Sequence, residues 1–404
     1  MVYDFNFYSS LLLITFSQGI IYSLLLLKKG VSSGNKSNYW LSVFVFLCSC
    51  YVAPWMLGFA GWYDNQPYRD FMFYTPFQHL FFIGPVIFFY TQSLLNPAFR
   101  FGKREGIQLI PGILYLIYNL IILVYDKLIV GQYYFYKNGS DKDFDDWYQY
   151  SGQISMAIYF ILSIRYYNLY KKLIVQVASN ADTVLFRWIK NYLIAFLLML
   201  ILPLLFNLIL HFFPTHNQYK GSWWFYLAYS LVLYYIAITG YTNAVKTKIG
   251  FKLAGFDKSQ IFLLDENKSF IFEEENTIDI DHETFTENQS PEIELWKTRI
   301  EDLIKGEKLY QNPELTLTEI SKKLQTNASV ISKAINQGFA LNFNDFINNY
   351  RVEAVKAMFA NGEHKKSTLL GIAYDCGFNS KATFNRAFKK NTSYSPKEYL
   401  GQIR

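Results

Sequence analysis

The stretch Ile372–Tyr399, IAYDCGFNSKATFNRAFKKNTSYSPKEY, decides the architecture of the C-terminal part of this chain. Thr368–Cys376 reads as a short helix that turns Leu369 or Leu370, Ile372, Ala373 and Cys376 to one face. Gly377 follows, where a left-handed turn costs glycine little and other residues more. Ser380–Lys390 reads as a second helix, with Phe384 and Phe388 four residues apart on its inner face. Ala373 is small where the two helices must cross closely. Ser395-Pro396 opens a last short helix, with proline in the first turn, where its missing N–H does no harm. Two short helices joined by a tight turn, the second with a polar outer face, make a helix-turn-helix.

Upstream the pattern occurs again. Leu317, Ile320 and Leu324 form one face of a short helix, with Thr316 placed to cap it and Glu319 three residues on, a capping box. A break at Thr326-Asn327 leads into Ala328–Asn336, whose inward residues are Ile331 and Ile335. The repeat pairs Ile320 with Ile372, Ile331 with Phe384, and Ile335 with Phe388. Between the two motifs lies a longer helix, Asn344–Phe359, closed by Asn361-Gly362. Before them, Trp296, Ile300, Leu303 and Ile304 mark a further amphipathic helix, ended by Asn312-Pro313.

Taken together, Leu317–Leu324 with Ala328–Asn336, Phe343–Arg351, Ile372-Ala373 through Gly377-Phe378, Phe384, Arg386–Lys389 and Ser395-Pro396 resemble the AraC/XylS-type DNA-binding domain. The resemblance covers about Trp296–Arg404. It implies two recognition helices about one DNA turn apart on one face, entering successive major-groove segments. On the matching positions the first helix would present Ser329, Ser332 and Lys333, and the second Lys381, Asn385 and Arg386. These residue types suit base-edge contacts, since Arg and Lys reach guanine edges, Asn pairs with adenine, and Ser contacts either. Lys389 and Lys390 would hold phosphates and set register. Where the family usually has glycine, this chain has Ala340 and Ser393, which fit if the backbone there avoids the left-handed conformation. From Glu292 to Arg404, 17 Lys/Arg face 12 Asp/Glu, so non-specific affinity is expected to be weak and two helix insertions, or a homodimer, to supply the rest.

Toward the N-terminus, residues 246–294 form an acidic linker that includes Asp265, Glu266, Glu273–Glu275, Asp279, Asp281, Glu283 and Glu287. Such a charge run is expected to be a solvated spacer. Two apolar runs within it, Gln260–Leu264 and Ser269–Phe272, could pair as a hairpin, and the acidic stretch could compete with DNA for the basic domain.

The chain average of 51% hydrophobic residues conceals a division, because up to about Tyr241 the sequence consists of apolar blocks long enough to cross a bilayer. Residues 1–245 are read as seven spans: Phe7–Leu27, Tyr39–Ala60, Phe71–Leu94, Ile107–Val124, Gly152–Tyr170, Trp188–Phe213 and Ser222–Thr242. Gln153 and Arg165 make the fifth the least apolar. The expected fold class is therefore all-α, a seven-helix transmembrane bundle followed by a soluble domain with two helix-turn-helix motifs.

Basic residues crowd one side: Lys28, Lys29 and Lys36, then Arg100, Lys103 and Arg104, then Lys171, Lys172 and Arg187, then Lys246, Lys248 and Lys252. That bias puts the N-terminus outside and everything after span seven in the cytoplasm. Trp40, Trp62, Trp188, Trp223 and Trp224 fall at span ends, as an interfacial belt of aromatic residues would require. The first block lacks the basic flank and the cleavage site of a signal peptide.

Gln78, His79, Asn119, Asn207 and His211 are the polar residues inside spans, and Pro54, Pro85 and Pro203 offer kinks. Interhelical hydrogen bonding is the expected role of such groups. Cys48 and Cys50 face roughly opposite sides of one helix, and Cys376 stands alone, so neither a disulfide nor a zinc site is expected. No glycine-rich phosphate loop, nucleophile elbow or metal-spaced His pair occurs, so neither an enzyme nor a cofactor or metal is expected.

The whole chain also resembles, by architecture, AraC-type regulators with a polytopic membrane domain. That resemblance implies a regulator in the bacterial cytoplasmic membrane, with double-stranded DNA, membrane lipid and a signal ligand or protein as partners. The basic stretch Lys246–Lys252 would be the pivot. The other expectation is a membrane transporter or receptor that carries the DNA-binding domain as an appendage.

Overall fold

The computed structural model describes residues 3–136, 145–181, 185–212, 219–243, 250–253, 260–265, 268–273 and 291–403. Two compact units emerge: Met1–Tyr167 with Arg187–Lys248, and Asn168–Phe186 with Ile249–Arg404. The described chain is overwhelmingly helical, as its composition implies.

The first unit contains α1 (Phe7–Ser33), α2 (Lys36–Phe59), α3 (Tyr68–Tyr74), α4 (Leu80–Leu95), α5 (Lys103–Ile107) and α6 (Ile110–Val124), which runs on into a π-helical turn, Tyr125–Val130. It also holds most of α7 (Asp145–Val177), α8 (Leu185–Phe212) and α9 (Tyr219–Thr242). Asn6 starts α1 through a capping box with Ser9, and Gly34 ends it in the left-handed conformation. α2 is the central helix and packs against α1, α4 and α9. Small residues permit the close approach: a Cβ on Gly19 would lie 2.1 Å from Ser49 Oγ, and the Ser42 hydroxyl donates to the Ser23 carbonyl at 2.7 Å.

Among the described residues, five helices are long and apolar enough to cross a membrane: Phe7–Ser33, Lys36–Phe59, Ile110–Val130, Trp188–Ile209 and Lys220–Thr242. These coincide with five of the seven expected spans. The third is interrupted instead. It divides into α3 and α4, of which only the 16-residue α4 is apolar. Thr75-Pro76 explains the division, because a residue before proline is driven out of the helical region. Tyr148 satisfies the backbone freed there: its hydroxyl donates to Gln78 O at 2.6 Å and accepts from Leu80 N at 3.0 Å. The fifth expected span lies inside α7, whose 33 residues include too many polar groups to rank with the five.

The tryptophans at span ends do not all serve as a belt. Trp188 and Trp223 are buried, donating to Tyr90 Oη and to the Tyr8 carbonyl, whereas Trp224 is exposed. Asn119 turns back on its own helix to the Tyr115 carbonyl at 2.8 Å, and Gln78 pairs with Gln149.

The second unit opens with an antiparallel sheet of β1 (Gly250–Leu253), β2 (Gln260–Asp265) and β3 (Lys268–Glu273) in that order, with Ile261 opposite Phe272 and Leu264 opposite Ser269. The hairpin expected from the two apolar runs is thus formed by β2 and β3. The acidic stretch after Glu273, and residues 246–249 of the basic pivot, lie outside the described residues.

Seven helices follow: α10 (Pro291–Gly306), α11 (Leu317–Lys323), α12 (Ala328–Phe339), α13 (Phe343–Ala360), α14 (Leu369–Asp375), α15 (Lys381–Thr392) and α16 (Pro396–Ile403). Ile300, Ile304, Leu317, Ile320, Ile331, Ile335 and Ile347 have no exposed surface and form the core of the first half. Val352, Val355, Phe359, Ile372, Ala373, Cys376, Phe378, Phe384 and Phe388 form that of the second. α13 contributes to both, and so joins the two motifs.

Candidate nucleic-acid interface

The two helix-turn-helix motifs share backbone detail as well as core positions. In the first, Gln325 N donates to Lys322 O at 3.2 Å and Thr326 N to Ser321 O at 3.0 Å. In the second, Gly377 N donates to Tyr374 O at 2.9 Å and Phe378 N to Ala373 O at 3.0 Å. Gln325 and Gly377 both have positive φ, 51° and 93°. Glutamine tolerates that at a cost of about 1 kcal/mol. Gly377 has a further reason to be glycine, since a Cβ there would lie 2.2 Å from the Tyr310 carbonyl oxygen. The loop after Gly377 is one residue longer than its counterpart, so Ser329, Ser332 and Lys333 correspond to Ala382, Asn385 and Arg386.

α15 starts at Ser380, whose Oγ accepts from Thr383 N at 3.1 Å. Thr383, Phe384 and Phe388 are buried, which turns Lys381, Asn385, Arg386, Lys389 and Lys390 outward, all of them exposed. Partial burial of the Arg386 guanidinium depresses its pKa below the usual arginine value. Lys390 is an ion-pair partner of Asp345 at the start of α13, 2.7 Å away. It therefore braces α15 against α13 before it can serve any phosphate.

On α12 the expected residues separate. Lys333 is exposed and Ser329 half-buried, but Ser332 is only 6% exposed, with its Oγ 3.5 Å from Asn336 Nδ2. α12 packs against α10, α11 and α13, and α15 against α13, α14 and α16. The two repeats thus have different surroundings, and Ser332 lies inside where Asn385 stays out. Asn336 and Gln337 are exposed instead. Their signal in the sequence is their spacing, three and four residues after Lys333 on the same helical face.

Ala340 and Ser393 both adopt the left-handed conformation, at φ 52° and 66°. The expectation that their loops avoid it does not hold. They close α12 and α15 at equivalent places, so the geometry usually served by glycine is kept and the strain accepted.

Arg351 is the residue that sequence reasoning passed over. It is 1% exposed, and its guanidinium uses all five N–H donors. Nε donates to Tyr310 O at 2.8 Å; Nη1 to Asn348 Oδ1 and Ser179 O, each at 3.1 Å; Nη2 to Asn312 O at 2.8 Å and Ser179 Oγ at 3.0 Å. Burial lowers its pKa to about 10, so it remains a cation at neutral pH. Its partners, all neutral, hold it by carbonyl and hydroxyl dipoles. Among the described residues no group of His, Cys, Asp and Glu could hold a metal ion.

A buried tandem core under two short outward-facing helices defines a helix-turn-helix fold. A model of the helix-turn-helix domain family matches residues 320–402, and the C-terminal domain is of the AraC type. An uncharacterized HTH-type transcriptional regulator of Staphylococcus aureus (strain COL) is 32% identical over 93 residues, 23% of this chain and 12% of that protein. The uncharacterized HTH-type transcriptional regulator YijO of Escherichia coli (strain K12) is 30% identical over 88 residues, 22% of this chain and 30% of that protein. The matches thus span about an eighth to under a third of these relatives, and they leave the apolar helices uncovered. No solved structure matches the chain.

Proposed function

We propose that this chain is a membrane-embedded, sequence-specific DNA-binding regulator of transcription, with its DNA-binding domain in the cytoplasm. The observation that carries the reading is α15, where Lys381, Asn385 and Arg386 are exposed directly above buried Thr383, Phe384 and Phe388. A long Arg or Lys and a planar Asn on one short helix suit the donor and acceptor pattern of a major groove. α12 presents Lys333 and Ser329 beside Asn336 and Gln337, and Ser332 has no place in that contact set. Lys389 is the phosphate ligand of this face, with Lys390 joining it when its ion pair with Asp345 opens.

The apolar helices support the membrane part of the reading. Seven crossings require α3–α4 to act as one interrupted span and α7 as another; at 1.5 Å per residue α7 is about 50 Å long, ample for a bilayer. The basic bias of the loops then leaves the N-terminus outside and residues 295–404 in the cytoplasm, joined through an acidic linker at 246–294. The bundle couples a membrane or extracytoplasmic signal to the domain.

Selection of duplexes from a random pool by the full chain in lipid nanodiscs tests the reading. Arg386→Ala should weaken the selected duplex by about 1–3 kcal/mol and relax one base position. Unchanged sequence preference and salt dependence would remove Arg386 from the contact set. Failure to select any sequence would overturn the function.

A further inference from the structure

α7 continues without a break from residue 145 to residue 177, and its last turns belong to the compact unit of the helix-turn-helix domain. There Val177, Ala178, Ser179 and Ala181 are buried, Ser179 completely. Every polar group of Ser179 has a partner on the domain. Its N–H donates to Leu315 O at 3.0 Å, and its hydroxyl meets Pro313 O at 3.5 Å and Arg351 Nη2 at 3.0 Å. Its carbonyl accepts from Asn344 Nδ2 at 2.9 Å and Arg351 Nη1 at 3.1 Å. Asn344 also reaches Ala178 O at 3.3 Å, and Ala178 forms an antiparallel bridge with Thr316.

The residues that receive this turn are those that set the two motifs. Thr316 is the N-cap of α11. Asn344, Asn348 and Arg351 lie on α13, with Asn348 accepting from Arg351 and donating to Asn344 Oδ1 at 3.0 Å. A surface turn that merely lay alongside would not bury three polar side chains to at most 4% exposure. Buried polar groups are costly unless paired, so these side chains are matched to the segment they hold.

We propose that residues 178–181 are a seat on the DNA-binding domain, through which α7 and the α11–α13 frame of the recognition helices bias one another. The inference rests on the DNA-binding reading above and adds to it a physical route from a membrane helix to the domain. By linkage the route works in both directions: duplex bound at α12 and α15 must alter the state of the seat as much as the seat alters duplex binding. The signal itself is therefore not needed for the test.

The first arm asks whether the seat forms. Ser179 N donates across the bridge, so Ala178 and Thr316 are its close, non-hydrogen-bonded pair, typically about 4.5 Å apart at Cα. Full chain carrying Ala178→Cys and Thr316→Cys, in nanodiscs, should form an intramolecular disulfide under mild oxidation, identified by peptide mass spectrometry. Ala178→Cys with Lys365→Cys should not. A crosslink only between two chains, or none, overturns the seat.

The second arm asks whether the seat couples. Hydrogen exchange over residues 168–181 is measured with and without a saturating selected duplex. It should change at least threefold in the wild type and by less than 1.5-fold in Asn344→Ala, which should still bind the duplex. Equal exchange in the wild type with and without duplex overturns the coupling. Should Asn344→Ala fail to fold, Ser179→Ala replaces it, since it deletes only the hydroxyl bonds and should diminish the change. A chain that crosslinks but selects no duplex refutes the function reading and its DNA coupling, while the seat itself stands on the first arm.

Discussion

Arg351→Ala removes the guanidinium on which five hydrogen bonds converge. Three of its acceptors are backbone carbonyls, those of Ser179, Tyr310 and Asn312. A buried carbonyl left without a donor costs about 1–3 kcal/mol, and three such losses give roughly 3–9 kcal/mol. Release of a buried cation from its own desolvation penalty offsets part of this, as does water entering the space left behind. A net loss of about 3–5 kcal/mol follows, on the scale for breaking a buried charged network. At 1.4 kcal/mol per factor of ten, amide protection in α11, α13 and α14 should fall by roughly 10²- to 4 × 10³-fold. Hydrogen-exchange mass spectrometry on the full chain in detergent micelles reads this directly, with α1 and α2 as internal reference. Arg351→Lys should recover only part of the loss, because an ammonium has three donors on one atom and cannot span these acceptors. Peptides covering residues 309–316 and 369–378 that exchange within threefold of wild type in Arg351→Ala would refute the reasoning.

Gly377→Ala should cost about 2–5 kcal/mol, from the left-handed backbone and the overpacking of a Cβ against Tyr310 O, and raise α14 exchange at least thirtyfold; a smaller rise would mean the carbonyl can move aside. Ala340→Gly should stabilise the domain by about 0.5–1 kcal/mol, relief of left-handed strain exceeding the added chain entropy, seen as a two- to fivefold slowing of exchange in α12 and α13. Burial raises the Cys376 thiol to about 11, so alkylation by iodoacetamide at pH 7.5 should be far slower in the folded chain than in urea; equal rates would show that the second core opens freely.

Much of the second unit is legible because its signals are local. The Thr316–Glu319 capping box, the Gly377 turn and the inward positions Ile320, Ile331, Ile335, Ile372, Phe384 and Phe388 each follow from spacing and residue type, and each is found as read. What escapes is set by neighbours distant in sequence. Ser332 and Asn385 are equivalent by repeat, yet the first is buried and the second exposed, because the elements packed on α12 and on α15 are not the same. Ala340 and Ser393 lack the residue type that announces a left-handed cap, so nothing local reveals that both adopt it. In the apolar half, Thr75-Pro76 is a local break signal, but it falls within a segment apolar enough to read as one span. Ser179 is the extreme case. A serine after a long helix carries no signal of partners more than 130 residues away.

The strength of the Ser179 seat bears on whether it can act in regulation. Its hydrogen bonds to Leu315, Asn344 and Arg351 each contribute about 0.5–1.5 kcal/mol net, somewhat more where the guanidinium is the donor, because water would replace them on opening. Their total, roughly 2–6 kcal/mol, starts within the 1–3 kcal/mol over which allosteric coupling usually operates and extends above it. It is also small enough for a change in α7 to compete with it. A seat of this strength shifts populations and does not lock the domain. Its reach is wider than its size, because the Arg351 that holds Ser179 also holds the Tyr310 carbonyl, and that carbonyl is the atom against which the Gly377 turn is packed. The other side of the seat, at Thr316, is the cap of α11 in the first motif. A displacement of Ser179 is therefore transmitted to the first motif through a helix cap and to the second through a turn. The coupling should consequently affect the spacing of the two recognition helices more than the contacts of either alone. Opening the seat by Asn344→Ala should then weaken selected duplexes that require both half-contacts more than duplexes truncated to one, and an equal loss on both would confine the effect to the first motif.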